Sequence, residues 1–178
     1  SKIILDGPEK DLNLTENTQP AIFLVGYSIY NILVNEFKIK LSDADFIAGH
    51  SLGEYTALTC SKGLDFVECL KILKIRGKSM QESVPEGNGG MIAILGAQIN
   101  EIEKILDENK NNFNCYIAND NTDGQVVVSG FKDDIQKLIV LLKEKKIKNL
   151  PLPVSAPFHC KLMKKSTEIM INEIDKIN

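Results

Sequence analysis

Residues 114–129 read Asn114-Cys115-Tyr116-Ile117-Ala118-Asn119-Asp120-Asn121-Thr122-Asp123-Gly124-Gln125-Val126-Val127-Val128-Ser129. Two runs containing β-branched and aromatic residues flank a polar turn, Asn121-Thr122-Asp123-Gly124, which is the pattern of a β-hairpin. Upstream, Asn100–Asn109 puts Ile102, Ile105 and Leu106 on one helical face, behind an apolar strand at Met91–Leu95. Downstream, Lys132–Lys145 does the same with Ile135, Leu138, Ile139 and Leu142, ahead of a strand at Ile147–Leu152. The order β-α-β-β-α-β is that of a compact ferredoxin-like unit. Residues 91–152 therefore read as a complete small domain bordered by Gly90 and Pro153.

The flanks read differently. Ser1–Leu5 reads as the end of a helix, broken at Gly7-Pro8. Thr18-Gln19-Pro20 leads into a helix over Ala21–Phe37, with Ile22, Val25, Ile29, Leu33 and Phe37 as its apolar face. Asp45-Phe46-Ile47-Ala48-Gly49 is a buried-strand candidate, and Leu52–Cys60 is a helix entered directly after it. A further helix is expected over Leu64–Val84, ended by Pro85-Glu86-Gly87-Asn88-Gly89-Gly90. After Pro153 come a turn and a helix at Lys161–Ile177. One strand cannot make a sheet. Residues 1–90 and 153–178 thus read either as a partial domain or as holding further strands that the pattern does not mark.

Gly49-His50-Ser51-Leu52-Gly53 falls at the expected strand-to-helix junction and matches the G-x-S-x-G nucleophile elbow. A sharp turn lifts the serine oxygen above the strand end. Glycines at 49 and 53 leave room for close backbone approach. The first N–H groups of the following helix, Leu52 among them, can hold an oxyanion. The other reading of Ser51 is a helix N-cap. A serine nucleophile needs a base, and the chain has 2 histidines. His50 adjoins Ser51 and reads as a packing residue beside the site. His159, in Ser155-Ala156-Pro157-Phe158-His159-Cys160, is left as the base, or else as a loop histidine capping the next helix. No carboxylate is marked out to complete a triad, so a Ser–His dyad is the simpler expectation. Arg76 is the single arginine among 21 basic residues. Its bidentate fork suits a substrate carboxylate, or a structural ion pair.

Composition narrows the classes. At 43% hydrophobic and 25% charged the chain can bury a core. A net charge of -3 argues against a general nucleic-acid binder. The 4 cysteines show neither zinc spacing nor a disulfide framework. No apolar run approaches the ~20 residues of a membrane span. Reduced cysteines and a cytoplasmic setting are expected, with no metal.

Taken in order, these motifs resemble the bacterial malonyl-CoA:acyl carrier protein transacylase family, whose fold recurs in the acyltransferase domains of polyketide and fatty acid synthases. The resemblance is carried by Thr15-Glu16-Asn17-Thr18-Gln19-Pro20-Ala21, Gly49-His50-Ser51-Leu52-Gly53-Glu54-Tyr55, Arg76-Gly77 with Met80-Gln81, Val84-Pro85-Glu86-Gly87, Asn119 with Gly124–Gly130, and Ser155-Ala156-Pro157-Phe158-His159. It implies a partial α/β-hydrolase-like acyltransferase subdomain with an inserted, complete ferredoxin-like subdomain. It also implies Ser51 as acylated nucleophile, His159 as base, Arg76 on the malonyl carboxylate and the Leu52 N–H at the oxyanion. His50 would lie beside the acyl pocket, and Phe158 would narrow it against an α-methyl group. Malonyl-CoA and acyl carrier protein are the implied partners, as substrates rather than cofactors, and a monomer is expected. The family's glutamine-bearing loop before Ser1 and its closing sheet after Asn178 have no counterpart here, so the chain reads as a central fragment. A serine thioesterase, an inactive acyltransferase fragment and a free-standing ferredoxin-like binding module are the competing readings.

Overall fold

The computed structural model describes residues 2–85, 87–154 and 156–177. Ser1, Glu86 and Ser155 belong to the expected first helix, the loop after the arginine helix and the histidine loop. They lie outside the described residues, as does Asn178. The chain runs α1 (Lys2–Asp6), α2 (Glu9–Leu12), α3 (Thr15–Asn35), α4 (Leu52–Cys60) and α5 (Phe66–Gln81). It continues β1 (Gly89–Leu95), α6 (Ile99–Glu108), β2 (Cys115–Thr122), β3 (Gln125–Phe131), α7 (Lys132–Glu144), β4 (Lys148–Pro151) and α8 (Lys164–Ile174). The fold is mixed α/β. It divides into two compact units, Ser1–Lys78 with Met170–Asn178, and Ser79–Ile169.

The second unit holds a four-stranded antiparallel sheet in the order β2-β3-β1-β4. This is the strand order of a ferredoxin-like unit, as the hairpin and its two flanking helices predict. Alternation along the strands gives the sheet two distinct faces. Ile92, Ile94, Val126 and Val128 face α6 and α7, where they join Ile102, Ile105, Ile135, Leu138 and Leu142 in one dry cluster. Each such aliphatic side chain contributes about 1.5–3 kcal/mol when taken fully out of water. Ser129 and Val127 alternate to the other face. β1 starts at Gly89, two residues before the expected Met91. A side chain at Gly89 would stand 2.2 Å from Pro157 Cδ, so only glycine lets the strand run on beneath that proline.

The first unit is helical. Phe23, Leu52, Cys69 and Leu73 form its core, with Tyr55, Leu64, Phe66 and Leu70 against them. Asp65 starts α5: its Oδ1 accepts the N–H groups of Val67 and Glu68, as a helix N-cap does. Three sequence expectations change here. Asp45–Gly49 is not a strand. Every strand among the described residues lies in the other unit, so this segment has no ladder to join, and Phe46 is 92% exposed. The helix expected from Ala21 begins at Thr15 and runs through Pro20, giving up one backbone bond to the Glu16 carbonyl. The face expected to be its core side is exposed, with Ile22, Val25, Ile29, Leu33 and Phe37 in solvent. Helices α4 and α5 take the Phe23 side instead.

Candidate active site

Ser51 sits immediately before α4 with φ 54° and ψ −112°, a backbone conformation that L-residues rarely adopt. Such a residue stores about 1–3 kcal/mol of strain. The turn is closed by two short bonds, Gly53 N–H to the His50 carbonyl and Glu54 N–H to the Ser51 carbonyl. Gly49 is what makes it possible: a Cβ there would lie 2.0 Å from the Gly53 carbonyl carbon. Gly53 behaves otherwise. A Cβ on it would meet nothing within 4 Å, so the close approach expected of both glycines belongs to Gly49. The Ser51 hydroxyl makes no capping bond to the helix it precedes. The N-cap reading of this serine therefore fails.

The hydroxyl is instead engaged by Arg76, whose NH2 group donates to Ser51 Oγ at 3.2 Å. The reach is built by a close helix crossing. Gly77 packs directly on the start of α3, where a Cβ would fall 2.5 Å from Glu16 Cα. Lys74 pins the same crossing through Glu16 Oε1 at 3.3 Å and Asn17 Oδ1 at 2.9 Å. Arg76 NH1 donates to Gln19 Oε1 at 2.5 Å, and the guanidinium carbon lies 5.5 Å from the Tyr55 ring centroid. Burial lowers the Arg76 pKa from its ordinary value, and the neighbouring Tyr55 and Glu54 partly restore it. Burial likewise pushes the Tyr55 hydroxyl up, opposed by the guanidinium. Leu52 is the first residue of α4, with its side chain in the helical core. His50 is exposed beside Ser51.

His159 and Phe158 belong to the second unit, on a loop seated on the sheet face opposite α6 and α7. The buried Ser129 hydroxyl donates to the Phe158 carbonyl at 2.6 Å. Cys160 Sγ donates to the Pro157 carbonyl at 3.1 Å, and Phe158 N–H to the Ala156 carbonyl. Phe158 also packs against Met80, Val84 and Met163. Between these anchors His159 adopts φ 56° and is exposed. Burial raises the Cys160 thiol pKa, so it is a poor thiolate despite its position.

In the sequence, Gln19, Tyr55 and Gly77 stand out only as members of longer motifs. A sequence signal existed for Gln19, an amide one helical turn after Thr15 and just ahead of an apolar run. Its partner 57 residues away was not legible. Asp120 and Asp123 line a polar cleft with Gln98 and Asn121, and Gln98 Nε2 donates to Asp123 Oδ1 at 2.5 Å. Among the described residues no group of three His, Cys, Asp or Glu side chains could hold a metal ion, and no helix is long and apolar enough to cross a membrane.

The family model described as "Acyl transferase domain" matches residues 1–178. The malonyl CoA-acyl carrier protein transacylase of Haemophilus influenzae is 38% identical over 177 residues, 98% of this chain and 56% of that protein. A solved malonyl CoA-acyl carrier protein transacylase from Coxiella burnetii superposes with a TM-score of 0.93 at 35% identity, covering 99% of this chain and 55% of that one. A structure described as a type II PKS acyl-carrier protein in complex with its malonyl-transacylase gives 0.92 at 36% identity, covering 99% and 57%. The chain spans about half the length of the curated relatives it matches.

Proposed function

The chain belongs to the acyl transferase domain family, and from that premise we propose that the protein carrying it moves a malonyl group from malonyl-CoA to the phosphopantetheine thiol of acyl carrier protein. One observation carries the reading: a strained serine at a strand-less elbow has an arginine fork 3.2 Å from its oxygen. A simple ester hydrolase has no use for that cation. An acyl group ending in a carboxylate does.

In this reading Ser51 Oγ attacks the thioester carbon and gives its proton to His159. The tetrahedral oxyanion is stabilised by backbone N–H groups, that of Leu52 among them. The carbon–sulfur bond breaks, the CoA thiol leaves with the proton from His159, and a malonyl ester remains on Ser51. The carrier thiol then attacks that ester with His159 again taking the proton, which restores the serine. Arg76 pairs with the malonyl carboxylate in both halves, and Phe158 disfavours an α-methyl branch. His50 borders the acyl pocket. Free cysteines and a CoA-thioester substrate suit the cytoplasm. The relatives' printed names and the carrier-protein complex support both substrates.

The test is transfer of malonyl from malonyl-CoA to holo-acyl carrier protein by the full-length polypeptide, read by mass of the carrier. Arg76→Ala is expected to lower malonyl transfer roughly a hundredfold, the scale of a lost charge-assisted pair. Equal malonyl transfer by wild type and Arg76→Ala, or release of free malonate with none reaching the carrier, would overturn the reading.

A further inference from the structure

Arg76 is held from two sides by groups that take no part in the acyl transfer above. Gln19 is 6% exposed, and its Nε2 donates to Thr15 Oγ1 at 3.3 Å. That bond fixes the amide so that its oxygen, rather than its nitrogen, receives Arg76 NH1. Tyr55 takes the guanidinium through its ring, with the guanidinium carbon 5.5 Å from the ring centroid. Both partners are neutral. An amide oxygen and an aromatic face orient a cation without cancelling its charge. A carboxylate at either place would form a charge-assisted pair and compete with any anionic substrate group. Together they fix the fork so that its NH2 end points at Ser51 Oγ.

We propose that Gln19 and Tyr55 are positioning residues that set the acyl selectivity of the Ser51 site, by holding the Arg76 fork in register with the nucleophile. The inference rests on the malonyl-transfer reading and deepens it.

The experiment measures kcat and KM for malonyl-CoA and acetyl-CoA with the full-length polypeptide, in wild type, Gln19→Glu and Tyr55→Leu. Gln19→Glu keeps the shape and gives Arg76 a carboxylate. The malonyl-over-acetyl ratio of kcat/KM is expected to fall roughly ten- to hundredfold, the range of a hydrogen bond to a charged group, with the loss in the KM for malonyl-CoA. Tyr55→Leu removes the ring that lies against the guanidinium, and the ratio falls by roughly three- to tenfold, the scale of a partly desolvated cation–π contact. A merely structural role would depress both acyl substrates alike. A ratio unchanged from wild type therefore overturns the assignment for the residue replaced. If Gln19→Glu does not fold, Tyr55→Leu still decides. A wild type that accepts no malonyl group removes the malonyl-transfer reading and this inference with it, whereas a malonyl-active wild type with unchanged variant ratios removes the inference alone.

Discussion

Gly49 is the residue on which the Ser51 conformation depends. Its missing Cβ would stand 2.0 Å from the Gly53 carbonyl carbon and 2.3 Å from Glu54 N, all backbone that cannot step aside. Gly49→Ala is expected to lower stability by about 1–3 kcal/mol or more, the cost of overpacking, and to abolish acylation of Ser51. Gly53→Ala, which meets open space, should fold normally. Thermal melts of the two variants side by side check this. Cys115 offers a test of a different kind. Burial pushes its thiol from an ordinary 9.0 up to about 12. The folded state thus keeps a proton that the unfolded chain releases near pH 9. Its effect on stability is nil below about pH 9, and stability is lost as pH rises from there toward 12. The difference in melting temperature between wild type and Cys115→Ala should change with pH only in that window. The elbow and the lone arginine were legible because each is a local pattern. The Gln19 and Tyr55 contacts to Arg76 were not, because they join residues brought together only by helix packing.

At the level of elements, the crossing of α3 and α5 places the arginine and the sheet face places the histidine loop. Gly77→Ala would drive a methyl group into the Glu16 backbone at 2.5 Å. The helices must then separate, and malonyl transfer is expected to fall by at least tenfold even though no group that touches substrate has changed. Transfer kinetics on a variant shown folded by circular dichroism provide the check. Ser129→Ala removes the donor to the Phe158 carbonyl, a cost of about 1 kcal/mol plus a looser His159 loop. The helices and strands of 91–152 could be read from the sequence to within a few residues, because their apolar periods match the faces they bury. The segment Asp45–Gly49 misled for a physical reason. Its apolar run has the composition of a strand, but a strand is made by its neighbours, and none of the described strands lies beside it. Thr15 as the start of α3 was missed because Pro20 reads as a boundary, whereas here the helix tolerates it.

Across the whole molecule, the two units differ in how far they bury their apolar residues. The ferredoxin-like unit closes its own core, so Leu138→Ala there should cost about 2–5 kcal/mol. The helical unit leaves Ile22, Val25, Ile29 and Leu33 exposed along one face of α3. A row of that kind is rare on a free surface. The isolated 178-residue chain is expected to bind a hydrophobic dye strongly, and Ile22→Lys with Ile29→Lys to reduce that binding. The direct test is intact mass of the full-length polypeptide after brief exposure to malonyl-CoA, beside a Ser51→Ala control. A gain of about 86 Da, mapped to the peptide holding Ser51, absent from the control and removed by holo-acyl carrier protein, is the expected result. A folded protein that gains no such mass, or gains it equally without Ser51, would contradict the account.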